Sequence, residues 1–353
     1  MHVHDTDPEP LVDLLSFDDV DHLLTSTAIR TPAVRLARDG AVLPASAYTR
    51  RGASLAGQPL TGLVDARAVL DLFAGGATVV LQGLHRYWSP LRELTAELEL
   101  ELGHPCQANA YLTPPGSQGF AVHADSHDVF VFQTHGTKLW EVHGEDGPEE
   151  VLLRPGRSMY LPTGTPHAAR AQEGASLHVT LGINQLTWRG LVRRTVEPLL
   201  GSVEDDHLPA GYLDDPADVA SGLAQRLRAL ADDVAALDGA AAVEREVERF
   251  LTTRGQLFRG GLADVLAVDG LAADTPVRRR RGRPMVMRDL PDGRLRVLLG
   301  DRHLDVPARI RPALEHVRAA EWLVPADLPG LDQESRLVLA RRLVREGLLE
   351  VVR

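Results

Sequence analysis

From Gly119 to Ile183 short apolar stretches of strand length are interrupted by Gly and Pro at short intervals. The stretch GFAVHADSHDVFVFQTHGTKLWEVH reads as two strands joined at the Gly136 turn. RPGRSMYLPTGTPHAARA supplies a Pro-Gly turn, a short apolar strand and a Thr-Gly-Thr-Pro turn that puts His167 at the start of the next strand, and Ser176 to Ile183 reads as another. Many short antiparallel strands with Gly/Pro turns describe a double-sheet jelly roll of the cupin kind. Upstream, LVDLLSFDDVDHLL and ARAVLDLFAGG have helical spacing, GATVVLQGL is a buried strand, and Ser89-Pro90 opens a helix through Leu102 as N-cap and first-turn proline.

From about Leu191 the period becomes helical. Leu223, Leu227, Leu230, Val234 and Leu237 repeat at spacings of four and three, and Val243, Val247 and Phe250 continue after Gly239. This stripe is a packing face, for a partner chain or for an intrachain hairpin. Beyond the basic linker TPVRRRRGRP, RLRVLLG reads as a strand and ARIRPALEHVRAA as a helix. A second helix is capped by Asp332 and stopped at Gly347, and a final strand follows. That order resembles a winged helix. The expected fold class is α+β: a double-stranded β-helix over 1–190, a helical segment over 191–268 and a winged-helix domain over 269–353.

The candidate chemistry sits on the jelly roll. In His123-Ala124-Asp125 the outer two side chains point the same way on a strand and can chelate one ion. With His167 they make two imidazoles and a carboxylate, which occupy one face of an octahedron and leave three positions open, as a non-haem Fe(II) centre requires. Any surface strand can carry H-x-D, so the weight comes from its surroundings. Lysines ordinarily keep their heads in water, but Lys138 lies between Gly136 and Trp140 after a wholly apolar strand, where burial is expected. His127, His135 and His143 are expected at the surface or behind the ligands. Phe130, Phe132 and Trp140 are expected in the core.

The string NAYLTPPGSQGFAVHADSHDVFVFQTHGTKLW, with YLPTGTPHAA and SLHVTLG downstream, resembles the JmjC-domain ribosomal oxygenases, also called the cupin-4 family. The resemblance is close over residues 105 to 190, and the layout of a jelly roll followed by a helical segment and a winged helix is similar too. It implies an Fe(II)- and 2-oxoglutarate-dependent dioxygenase that hydroxylates an Arg or His side chain of a ribosomal protein. His123, Asp125 and His167 would be the iron ligands and the catalytic centre. Lys138, fifteen residues after His123, falls where the family grips the distal carboxylate of 2-oxoglutarate. Asn109, Tyr111, Ser176 and His178 fall on strands that line the cosubstrate pocket. The helical segment would form a homodimer. Gly156-Arg157 stands where the family usually has Gly-Asp, and the connection from Trp140 to Leu152 is short; both bear on loop shape.

Charge and composition refine this reading. The chain has 353 residues and a net charge of -11. From residue 270 onward 17 Arg or Lys face 12 Asp or Glu (+5), so residues 1 to 269 hold 21 against 37 (-16). An acidic surface attracts basic partners, such as a ribosomal protein segment, and repels phosphates; plain solubility explains it equally well. Cys106 is the sole cysteine, which excludes an intrachain disulfide. No apolar run approaches the roughly 20 residues a membrane span needs, and MHVHDTDPEP lacks signal-peptide character, so the expected location is cytoplasmic. Arg336, Arg341, Arg342 and Arg345 could meet phosphate, but Asp332 and Glu334 occupy the helix start where base contacts are made. Two rivals remain: an oxygenase acting on a small molecule or biosynthetic peptide, and a non-enzymatic cupin sensor with a DNA-binding winged helix.

Overall fold

The computed structural model describes residues 1–5, 7 and 12–352. Its strands up to residue 185 are β1 (His2–Asp5), β2 (Val34–Arg38), β3 (Ala41–Val42), β4 (Ser54–Leu55), β5 (Gln58–Pro59), β6 (Thr78–Leu81), β7 (Cys106–Thr113), β8 (Asp128–His135), β9 (Lys138–Gly144), β10 (Gly147–Leu153), β11 (Arg157–Leu161), β12 (His167–Ala171) and β13 (Ser176–Ile183). The helices among them are α1 (Phe17–Thr25), α2 (Ala66–Ala74) and α3 (Ser89–Leu102). Further on come α4 (Trp188–Val196), α5 (Ala217–Ala235), α6 (Gly239–Phe250), α7 (Gly261–Ala267), β14 (Val277–Arg279), β15 (Val286–Asp289), β16 (Arg294–Leu298), β17 (His303–Pro307), α8 (Arg311–Ala319), β18 (Trp322–Leu323), α9 (Gln333–Arg345) and β19 (Leu349–Val351). Two compact units result: residues 1–185 with 257–283 and 319 onward, and residues 186–256 with 284–318.

Alternation along β7 and β13 builds the first unit. These strands pair antiparallel over their whole length. Ala108, Ala110, Leu112, Leu177, Val179 and Leu181 share one face and join Leu15, Val20, Leu23, Val69 and Leu91 in one apolar core. The opposite face carries Asn109, Tyr111, Thr113, His178 and Thr180. Among the described residues an antiparallel sheet runs β1-β11-β8-β13-β7-β6-β2-β3, and a second runs β10-β9-β12. Val129, Val131, Met159 and Leu161 of the large sheet form a second core with Trp140, Val142, Val151 and Leu153 of the small one. The two sheets thus close a jelly roll around the polar face of β7 and β13.

Local signals set the helix starts. Ser16 and Asp19 make a reciprocal capping box for α1, so this helix begins at Phe17; Leu11, where the apolar pattern begins, lies outside the described residues. Asp65 caps α2 by accepting from the Ala68 N–H. Trp88, not Ser89, is the N-cap residue of α3, with Pro90 in its first turn. The Ser89 hydroxyl donates instead to Glu93 (3.4 Å). Gly136, at φ +62°, makes the β8–β9 turn; a Cβ there would strike the Ala175 carbonyl.

One strand expectation is corrected. The H-x-D stretch before Asp128 is irregular and touches β12 through a single bridge, His123↔His167. The backbone bonds His123 N–H to His167 O (3.0 Å) and His167 N–H to His123 O (2.8 Å) hold it there, while Gly164 N–H donates to Asp125 O (2.9 Å). A full strand would present His123 and Asp125 side by side on a flat face; the irregular path instead folds them toward His167.

In the rest of the first unit β14 lies between β18 and β19. Asp332 caps α9 through the Ser335 N–H (2.8 Å), and Gly347 at φ +71° follows its end. The second unit combines α4 to α6 with α8 and the antiparallel meander β15-β16-β17. The elements that suggest a winged helix are therefore divided: β16 and α8 belong to one unit, α9 and β19 to the other. Of the apolar stripe, Leu223, Leu227, Val234 and Val243 are exposed, Phe250 is buried, and Leu237 lies past the end of α5. No helix of the described residues is long and apolar enough to cross a membrane.

Candidate functional site

The polar face of β7 and β13 lines a cavity of about 370 Å³ that also takes in residues from β2, β6, β8, β9, β11 and β12. His123, Asp125 and His167 converge at it, each offering a ligand atom within 4.8 Å of the others. His167 Nε2 and Asp125 Oδ2 are 3.7 Å apart, and the two imidazole centroids 4.5 Å. Each imidazole is oriented the same way: His123 Nδ1 bonds the Ala121 carbonyl (3.0 Å) and His167 Nδ1 the Thr165 carbonyl (2.9 Å). A carbonyl only accepts, so Nδ1 carries the proton and Nε2 keeps its lone pair for a metal. Burial lowers the His167 pKa and favours the neutral, ligating form.

The turn that delivers His167 is clamped. Asp128 Oδ1 accepts from Thr163 N–H (2.8 Å) and Thr163 Oγ1 (2.9 Å), and its Oδ2 accepts from Tyr160 Oη (2.5 Å). These bonds hold the Asp128 carboxyl at a pKa of about 2, against the burial that would raise it, and push Tyr160 up to about 12. One carboxylate thus fixes the turn whose Thr165 carbonyl orients the ligand.

Lys138 is buried, 3% exposed, at the start of β9. Its Nζ donates to Thr113 Oγ1 (2.9 Å) and lies 3.3 Å from His178 Nδ1. Thr113 in turn is bonded to Thr78 (3.0 Å). Among the described residues no carboxylate pairs with this ammonium, and burial pulls its pKa down to about 7. Burial also holds His178 well below the ordinary histidine value, with the Lys138 charge as a second cause. Tyr111 stacks flat on His178 (4.8 Å, 4°) and stands edge-on to Phe120; burial raises its hydroxyl pKa. A buried cation without a counter-charge is costly on its own. It is suited to receive an anionic ligand.

The remaining expectations divide. Asn109 lines the cavity and its Oδ1 accepts from the Gly83 N–H (2.9 Å), so it also ties down the turn after β6. Ser176 is fully buried but lies outside the cavity lining, its Oγ accepting from Gln133 Nε2 (2.9 Å). His135 and His143 are absent from the lining, whereas His127 belongs to it, within 3.2 Å of Gln107. Arg35, Thr78, Thr113 and Phe120 are lining residues that sequence reasoning missed. For Thr78 and Thr113 the signal was present, since they occupy cavity-facing positions of neighbouring strands. For Arg35, far upstream on β2, there was none.

Two facing antiparallel sheets around a two-histidine, one-carboxylate constellation make a cupin-like jelly roll of the JmjC kind. The family described as the JmjC domain matches residues 90–150 and 145–191, which include His123, Asp125, Lys138 and His167. Over this region the chain is similar to the JmjC-domain ribosomal oxygenases. Ribosomal oxygenase 1 of Rattus norvegicus is 33% identical over 154 residues, 37% of this chain and 26% of that protein. Ribosomal oxygenase 2 of Mus musculus is 30% identical over 187 residues, 45% of this chain and 40% of that protein. The chain thus spans about a quarter to two-fifths of the length of these relatives. The crystal structure of Escherichia coli ribosomal oxygenase YcfD superposes with a TM-score of 0.57 at 20% identity, covering 99% of this chain and 95% of that one. A structure of the same protein in complex with cobalt and 2-oxoglutarate gives 0.55 at 19% identity, covering 99% and 93%.

Proposed function

We propose that the protein is an Fe(II)- and 2-oxoglutarate-dependent dioxygenase that hydroxylates a protein side chain, an Arg or His of a ribosomal protein. The observation that carries this reading is the pairing, in one cavity, of three convergent ligand atoms with a buried lysine that has no carboxylate partner among the described residues. The donor set fits iron: two imidazole nitrogens left free by their Nδ1 bonds and one carboxylate oxygen, on one side only. Bound iron and 2-oxoglutarate supply the oxidising chemistry, with one oxygen atom going to the substrate and one to succinate. The protein's own residues bind and orient. His123, Asp125 and His167 would hold the metal through two imidazole nitrogens and one carboxylate oxygen. Lys138 offers its ammonium to the distal carboxylate of the oxoacid, with Thr113 fixing the direction of Nζ. Asn109, Tyr111 and His178 form the wall beside it. Val129, Val131, Trp140 and Leu161 make part of the cavity lining apolar, and a water-poor lining strengthens an ion pair.

The acidic balance of residues 1 to 269 suits a basic protein segment as the docking partner, and the exposed stripe on α5 and α6 suits pairing with a second copy. The test is mass spectrometry of ribosomal proteins from cells lacking this gene, treated with the protein, Fe(II), 2-oxoglutarate and ascorbate. A gain of one oxygen that Asp125→Ala abolishes supports the reading. Oxidative decarboxylation with no modified ribosomal protein would move the substrate elsewhere.

A further inference from the structure

The irregular stretch that carries His123 is held from two sides. Toward β12 the bridge with His167 holds it, and on the other side it lies along the turn between β2 and β3. There the Gly40 N–H donates to the Gly119 carbonyl (3.1 Å). Gly40, at φ +83°, comes so near Ala121 that a Cβ would stand 3.2 Å from the Ala121 Cβ and 3.4 Å from its nitrogen. Gly119 is packed as closely, since a Cβ on it would meet Thr78 Oγ1 at 2.7 Å. Residues 119 to 121 are seated against the turn after β2 and against β6.

Arg35 adds a contact from the same sheet. Val34 and Leu36 join the apolar core, so Arg35 between them points to the cavity face of β2. Its guanidinium lies over the Phe120 ring at 5.2 Å. That ring is 5.8 Å from the His123 imidazole and stands edge-on to Tyr111 at 6.1 Å. Arg35 Nε is buried with no hydrogen-bond partner, and no carboxylate pairs with this guanidinium among the described residues. The neighbour of Phe120 is Ala121, whose carbonyl accepts from His123 Nδ1 (3.0 Å). A ring and a carbonyl from adjacent residues thus meet the same imidazole, so a rotation of residue 120 carries His123 with it.

We infer that Arg35 is a positioning residue for the metal site: acting through the Phe120 ring, with Gly40 seating the next residue, it sets the direction of His123 Nε2. This rests on the reading of His123 as a metal ligand. Charge alone predicts the opposite sign. A guanidinium repels a divalent cation held in the same cavity, so deleting it without a positioning role would tighten metal binding.

Cobalt(II), added without oxoacid, reports affinity by competition with a chelating dye and ligand geometry by its visible absorption. Arg35→Met keeps the bulk and removes the cation; it should weaken cobalt binding about tenfold, the size of other outer-shell losses, and change the absorption. Arg35→Lys can still place a cation over the ring and should keep most of the affinity. Phe120→Leu should match Arg35→Met, and the double variant should lose no more than about threefold beyond either single, because the two act along one route. Gly40→Ala should weaken cobalt binding with no change of charge; if that variant does not fold, the Arg35→Met and Arg35→Lys pair decides alone. Unchanged or tighter cobalt binding in Arg35→Met, an unaltered absorption, or losses that add fully in the double variant would overturn the inference while His123→Ala still loses the metal. Cobalt binding by His123→Ala as tight as the parent's would overturn the ligand assignment and the positioning role together.

Discussion

Lys138→Met separates a residue kept for binding from one kept for folding. Methionine has a similar length and removes only the charge, so packing changes little. In the ligand-free protein the ammonium is buried and its pKa lies at about 7 against 10.5 for a free lysine. Between these values the unfolded chain binds a proton that the folded chain does not, so stability rises with pH across that window and the cost of burying the charge is full below pH 7. The gap of about 3.5 pKa units corresponds to about 5 kcal/mol. Loss of the bond to Thr113 offsets about 1 kcal/mol. Ligand-free Lys138→Met should therefore be more stable than the parent at pH 6 by a few kcal/mol in urea unfolding, the difference shrinking as pH rises toward 10. Its affinity for 2-oxoglutarate should fall by about 10- to 100-fold, the worth of a buried charge-assisted bond, with Fe(II) affinity nearly unchanged. A variant less stable than the parent at pH 6, or one that loses iron and oxoacid equally, would refute the reasoning.

The other predictions concern the ligand set and its supports. His123→Ala should abolish iron binding and turnover while its circular dichroism and melting curve stay close to the parent's; retained turnover would remove His123 from the ligand set. Asp128→Ala should free the Tyr160–Thr163 clamp and weaken Fe(II) binding about tenfold by equilibrium dialysis, as outer-shell substitutions do. Because the Asp128 carboxyl is depressed to about 2, its stabilising contribution is present above about pH 4 and lost as pH falls through 2, so the melting difference between parent and Asp128→Ala should vanish in strong acid. Gly136→Ala meets both a positive φ and the Ala175 carbonyl, and should cost at least about 2 kcal/mol in chemical unfolding; a smaller loss would mean the β8–β9 turn can shift.

Much of the site was readable because its parts are local. His123 and Asp125 lie two residues apart, Lys138 follows His123 by fifteen, and the Gly-Thr-Pro turn precedes His167, so spacing and turn chemistry singled out all four. The family resemblance pointed to Asn109, Tyr111, Ser176 and His178; the first two and His178 do line the cavity, while Ser176 is diverted to Gln133 where the β8 pairing shifts register between Leu177 and His178. Arg35 was invisible because the β2-β6-β7 pairing that carries it to the cavity joins segments far apart in sequence. The irregular path at His123 to Asp125 was missed for a related reason: its shape is set by bonds to residues 164 and 167, not by its own pattern. Downstream of residue 268, β16 and α9 each follow from their own periodicity, but the allotment of β16 and α8 to one unit and α9 and β19 to the other depends on contacts that no local pattern encodes.

The central claim is that the His123, Asp125 and His167 site and Lys138 together bind iron and 2-oxoglutarate. Anaerobic titration of the Fe(II)-loaded protein with 2-oxoglutarate, followed through the visible charge-transfer absorption of the chelate, tests it most directly. The account predicts a saturable band that is absent in Asp125→Ala and needs about tenfold or more higher oxoacid in Lys138→Met. Iron binding without any such band would contradict it and would make a metal-responsive sensor the better reading of the fold.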